Sequence, residues 1–222
     1  MRFAYLLSRS LPAFLILLSG FCPSNSAQAQ DPIPASQIAE HAVCRGLLAA
    51  NGTAQVVCFL AYVDGISGSL FSGNPSEATA YLTLRTDTIT AQPIVNGDVV
   101  ALLQSAGTYN IYFNSSPNGN WDNPDSFSSG QLVATFTRTP PILISVGTMA
   151  SGFFSAKLTS SHEFELNGQT VDFKHLVPNG VTWLLTAAGN PVATGAPGFV
   201  AAQPFAGSAL AIGRKESAHG AQ

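Results

Sequence analysis

Charge is what this sequence has least of. Asp, Glu, Lys and Arg together make up 9% of its 222 residues, against about 25% in an average soluble protein. Only nine residues are basic, they are scattered, and the formal net charge is −3. Such a chain has no electrostatic footprint for nucleic acid or for an anionic membrane surface. Long apolar runs are missing too: Leu11 to Leu18 is the main uninterrupted one near the start, too short to span a bilayer comfortably. No G-x-S-x-G elbow, H-E-x-x-H helix or phosphate-binding glycine loop occurs, so the familiar signatures of serine hydrolases, zinc peptidases and nucleotide-binding folds are absent. Cysteine is limited to three residues.

What is present begins with a leader. Residues 1–29 have the layout of a secretory signal peptide. Arg2 and Arg9 supply positive charge, Leu11 to Leu18 supplies the apolar segment, and Ala27-Gln28-Ala29 is a small-x-small cleavage site. A lipid anchor at Cys22 fits less well, because Phe21 stands where a small residue belongs. Cleavage leaves residues 30–222 as a single β-rich domain ending in a polar tail, large enough for one core. Seven basic residues then face twelve acidic ones, a net charge of −5. Only Cys44 and Cys58 remain, and two cysteines in an exported chain predict one disulfide. Export to the periplasm or the extracellular space is the expected localisation. After signal removal no transmembrane segment is expected.

Most of the domain reads as short strands. Ala54 to Val63 is a continuous apolar run, as expected for a strand buried on both faces or under a helix. Gly107 to Asn114 alternates, with Tyr109, Ile111 and Phe113 on one face. Gln131 to Arg138, Ile142 to Val146, Phe153 to Leu158 and Val181 to Thr186 continue the pattern between turn residues. Many short strands with frequent turns predict an all-β fold, a single-domain antiparallel barrel or sandwich. The segment Ser36 to Asn51 is rich in Ala, Leu, Gln and Glu and is expected to be a short N-terminal helix. Its competing reading is a strand across residues 41–49 with Cys44 opposite Cys58. The Ala-, Gly- and Pro-rich stretch 189–213 is expected to cover an open end or an edge. The exported, strand-rich layout is similar to small calycin-like barrels in architecture alone, with no run of residues carrying a family motif.

The most informative stretch is Ser160 to His175. Asn167-Gly168 predicts a two-residue type I′ hairpin turn, placing Phe164 opposite Val171, Glu165 opposite Thr170 and Leu166 opposite Gln169. Continued further, the pairing sets Glu163 and Asp172 on a polar face and His162 and His175 at the open end of an apolar face. The two histidines are the candidate acid–base groups, since imidazole titrates near neutral pH. Glu163 and Asp172 read as solvated surface rather than as a glycosidase pair. The loop Asn114 to Ser126 contains oxygen donors in a calcium-like spacing but lacks a late glutamate. Neither a metal nor a cofactor is expected. Candidate ligand-binding residues are Tyr109, Phe113, Trp121, Phe164 and Phe173, aromatic side chains suited to lining or capping an apolar cavity. Two functions follow: a binding or surface module holding a small apolar ligand, or a cavity enzyme of isomerase or cyclase type using His162 or His175. Oligomeric state is not legible.

Overall fold

The computed structural model describes residues 30–188 and 190–213. The leader expected at residues 1–29 and most of the polar tail lie outside the described residues.

The fold is all-β, built on a closed eight-stranded antiparallel barrel. Its first hairpin joins β1 (Ile38–Leu48) to β2 (Ala54–Val63). From β2 the wall continues through β3 (Leu82–Thr86), β6 (Gly107–Phe113) and β7 (Gln131–Arg138) to β9 (Met149–Ser161). It then passes to β12 (Val181–Ala188) and β13 (Ala201–Ala211), which returns to β1 and closes the circuit. Every backbone edge in this ring is paired, which is how a barrel removes exposed ladder groups.

Three shorter strands prolong one end of the ring. β4 (Ala91–Asn96), β5 (Val99–Gln104) and β8 (Ile142–Val146) pair in the order β4, β5, β8 and then the first half of β9. The second half of β9 pairs instead with β7. Thr139-Pro140-Pro141 separates β7 from β8, and two consecutive residues without an N–H cannot continue the ladder. β4 is the outer edge of this flared extension, and it carries Pro93, as edge strands often do. Residues 88–107 and 139–156 contain a single charge, Asp98. Leu103, Phe153 and Leu184 are exposed on its outer face at 41%, 59% and 49%.

Two of the expectations from sequence are corrected here. The predicted N-terminal helix is strand β1. Its inward side carries Glu40, Ala42, Cys44 and Gly46, and pairing on both flanks outweighs the helical preference of Ala and Leu. The stretch 189–213 is not merely a cover. Its second half is β13, hydrogen-bonded to both β1 and β12, and before it Ala196 and Phe199 pack into a satellite cluster around Leu47 and Phe127. The run Ala54 to Val63, expected to be buried on both faces, is so over Val57 to Leu60, while Ala61 and Tyr62 are exposed. Cys58 and Leu60 point into the barrel. Val57 lies in a satellite cluster with Leu47, Phe127, Ala196 and Ala202, against which Trp121 packs. Cys44 and Cys58 face each other across the β1–β2 ladder and are joined as a disulfide with Cα atoms 4.0 Å apart.

The far end of the barrel is closed by the predicted hairpin. β10 (Phe164–Leu166) and β11 (Gln169–Val171) pair in the expected register. Asn167 and Gly168 have φ of 55° and 75°, the left-handed pair that a type I′ turn requires. The ladder then stops, because residues Phe173–Leu176 form one helical turn, α1, capped by the Asp172 side chain accepting from the Lys174 N–H. Phe164, Leu166, Val171, Phe173 and Leu176 are buried and plug the barrel.

Candidate functional site

The opposite end is not plugged. Between the mouth of the ring and the flared strands lies a partly open cavity of about 500 Å³, within the range of small-molecule sites. Its deep end is formed by the Cys44–Cys58 disulfide, Leu84, Tyr109, Trp183 and Arg138, and its outer walls by residues such as Leu102, Leu143, Phe154, Leu185 and Phe205. Each wall follows from strand alternation. Leu143 is directly opposite Gly152, and Leu102 opposite Leu143, so one face of the flared sheet looks into the cavity. A Cβ at Gly46 would meet nothing closer than 3.7 Å, which leaves that part of the wall low.

Below the cavity the interior is packed. Tyr109 stacks on Phe136 with ring centroids 4.8 Å apart, and Phe136 meets Phe173 edge-on at 6.3 Å. This aromatic column runs from the cavity to the hairpin plug. The Trp183 indole N–H donates to the Tyr109 hydroxyl at 3.1 Å. Burial and the nearby Glu40 carboxyl hold the Tyr109 hydroxyl well above its ordinary pKa.

Two ionisable groups are buried at this level. Glu40 is fully buried and neither carboxylate oxygen has a partner. Removal from water disfavours the charged form, and burial pushes its pKa up to about 8. Arg138 is 3% exposed and lines the cavity. Its Nη2 donates to Asp87 Oδ1 at 3.2 Å, while its Nε is buried with no partner. Burial lowers the guanidinium pKa, opposed by Asp87. The pair occupies the junction between ring and extension. Asp87 follows β3, and its Oδ2 accepts from the Thr108 N–H at 2.8 Å. Gly107 makes room for it: an added Cβ would press against the Asp87 carboxylate, 2.7 Å from Oδ1.

Of the five aromatic residues expected to bind ligand, Tyr109 reaches the cavity. Phe164 and Phe173 belong to the plug at the other end, where Phe113 packs against Phe164 at 4.9 Å. Trp121 lies outside the wall, 5.0 Å from Phe127 and beneath the Arg45 guanidinium at 4.7 Å. Its loop is held by its own polar groups: Asp125 pairs with Arg85 at 2.7 Å, and Asp122 accepts from the Gly195 N–H at 3.0 Å. His162 and His175 are both exposed, on either side of the hairpin, and neither lines the cavity. α1 takes His175 out of the ladder, so the two imidazoles do not share a sheet face. Among the described residues no group of three or more His, Cys, Asp or Glu is placed to hold a metal ion.

Glu40, Arg138 and Trp183 were the residues that sequence reasoning passed over. A signal existed for two of them. Glu40 shares strand parity with Cys44 once residues 38–48 are read as a strand. Arg138 shares parity with Ala134 and Phe136, a charge on the apolar side of an alternating strand.

The fold and site together define an antiparallel eight-stranded barrel, sealed at one end and holding an apolar cavity at the other. Comparison with protein-family models, curated proteins and solved structures gave no match for this chain.

Proposed function

We propose that this protein is an exported binding protein that carries a small apolar ligand in its barrel. The observation that carries this reading is the cavity of about 500 Å³, whose walls are mostly apolar and contain few polar groups. An interior filled with side chains would have left only a scaffold. Instead packed side chains fill the plugged end, and the opposite end is left hollow. Export is supported by the layout of residues 1–29 and by the Cys44–Cys58 disulfide, a bond that persists in oxidising compartments. The disulfide also forms part of the cavity wall, linking compartment and site.

The test uses the mature protein purified from its secreting host. Native mass spectrometry should show an added mass that organic extraction removes. The extracted protein should then bind the neutral apolar probe N-phenylnaphthylamine with a saturable rise in fluorescence. Absence of any saturable probe binding by folded, extracted protein overturns the reading.

A further inference from the structure

From the same cavity we infer that the ligand is an apolar chain ending in a single carboxylate, with the headgroup held at Arg138; this rests on the carrier reading above. Arg138 is the one charged residue among the described residues lining the cavity. A buried guanidinium needs its donors occupied, because an unsatisfied buried donor loses its hydration without compensation. Arginine carries five N–H groups in a planar fork. Asp87 takes a single contact from Nη2, and its second oxygen is committed to the Thr108 N–H. The Asp87 side chain is also 43% exposed, so it faces water rather than the lumen. Nε is left with no acceptor at all.

The cavity therefore offers an apolar wall with one cationic point at its deep end. That combination selects for charge type. A neutral hydrocarbon leaves the guanidinium short of acceptors. A dianionic phosphate ester would bring more negative charge into a low-dielectric site than one partly neutralised arginine can compensate. A carboxylate matches the fork geometry of the guanidinium. Glu40, the other buried ionisable group, does not line the cavity and is held in its neutral form up to about pH 8, so it does not cancel the attraction. Leu102, Leu143, Phe154, Leu185 and Phe205 supply the surface for the chain.

The experiment displaces N-phenylnaphthylamine from extracted, full-length mature protein with dodecanoate and with dodecanol at pH 7. The acid should bind about tenfold or more tightly than the alcohol, the discrimination a charge-assisted hydrogen bond provides. Arg138→Gln should collapse the acid-to-alcohol ratio toward one. Asp87→Asn, which removes the competing counter-charge, should raise it. Circular dichroism establishes that each variant is folded, and the wild-type ratio stands without either. Equal affinity of acid and alcohol for the wild type overturns the carboxylate inference and leaves the apolar carrier intact. A ratio that survives Arg138→Gln overturns the assignment to Arg138. Failure of both compounds and of the probe overturns the carrier reading itself.

Discussion

Glu40 is the least comfortable residue in the barrel. A carboxyl with neither oxygen bonded and no exposed surface cannot remain ionised at low cost, so it keeps its proton. The consequence is a pH-dependent stability whose sign is fixed. The unfolded chain releases the Glu40 proton near pH 4.5, while the folded protein holds it to about pH 8. Between those values the folded state binds more protons than the unfolded state, so stability falls as pH rises, and it is flat on either side. Glu40→Gln removes the titration but keeps the shape. Urea denaturation at pH 5 and pH 8 should show the wild type losing about 3 kcal/mol more than the variant across that interval. Parallel profiles for the two proteins would place the proton elsewhere.

At the scale of elements, the hairpin that seals the barrel is tied to residues 65–69 by Asn167 in its turn and by Gln169 in β11, whose side-chain amide donates to the Gly65 carbonyl at 2.7 Å and accepts from the Ser67 N–H at 2.9 Å. The Asn167 side-chain amide donates to the Ser67 and Ser69 carbonyls at 2.9 Å each, and the backbone at Asn167 is left-handed. Two substitutions separate these roles. Asn167→Gly keeps the left-handed backbone and loses the bonds, costing about 1 kcal/mol. Asn167→Ala loses both and should cost roughly 1 kcal/mol more. Amide exchange across residues 65–71 should quicken in both variants, and equal stability for the two would show that the left-handed backbone carries no cost.

This turn was legible in the sequence because a type I′ hairpin is a local object, fixed by two adjacent residues. β1 and β13 were not, because what makes them strands is their neighbours. Ala, Leu and Glu in β1 favour a helix until two flanking ladders are available. Pro204 and Gly207 make β13 a poor strand until β1 and β12 lie beside it. The disulfide was readable from cysteine count alone. The cavity was not. It depends on which end of the ring the hairpin plugs and on how far β4, β5 and β8 extend the other. Those are relations between residues far apart in the chain, up to 100 positions for Asn167 and Ser67. The expected aromatic lining failed for the same reason: Phe164 and Phe173 have the right parity but sit at the wrong end.

For the whole molecule, the hollow end sets stability against use. An empty apolar cavity forfeits the packing contacts its walls would otherwise make, and filling it should strengthen the fold while abolishing the site. Gly46 is the place to do so. It lies on β1 beside Gln203 and Phe205, at ordinary contact distances of 3.7 and 3.8 Å for an added Cβ, and its backbone is not left-handed. Replacing glycine within a strand removes a conformational penalty of about 0.5–1 kcal/mol, and the new side chain enters the lumen next to the disulfide. Gly46→Leu should therefore raise the midpoint of thermal unfolding by a few degrees, since 1 kcal/mol corresponds to about 2–4 °C at this size. It should also weaken N-phenylnaphthylamine binding about tenfold or more, since the added isobutyl group occupies space the probe needs. Calorimetry and probe titration on the same preparation check both halves. A variant that gains stability and still binds the probe at full strength would mean that the probe sits somewhere other than this cavity.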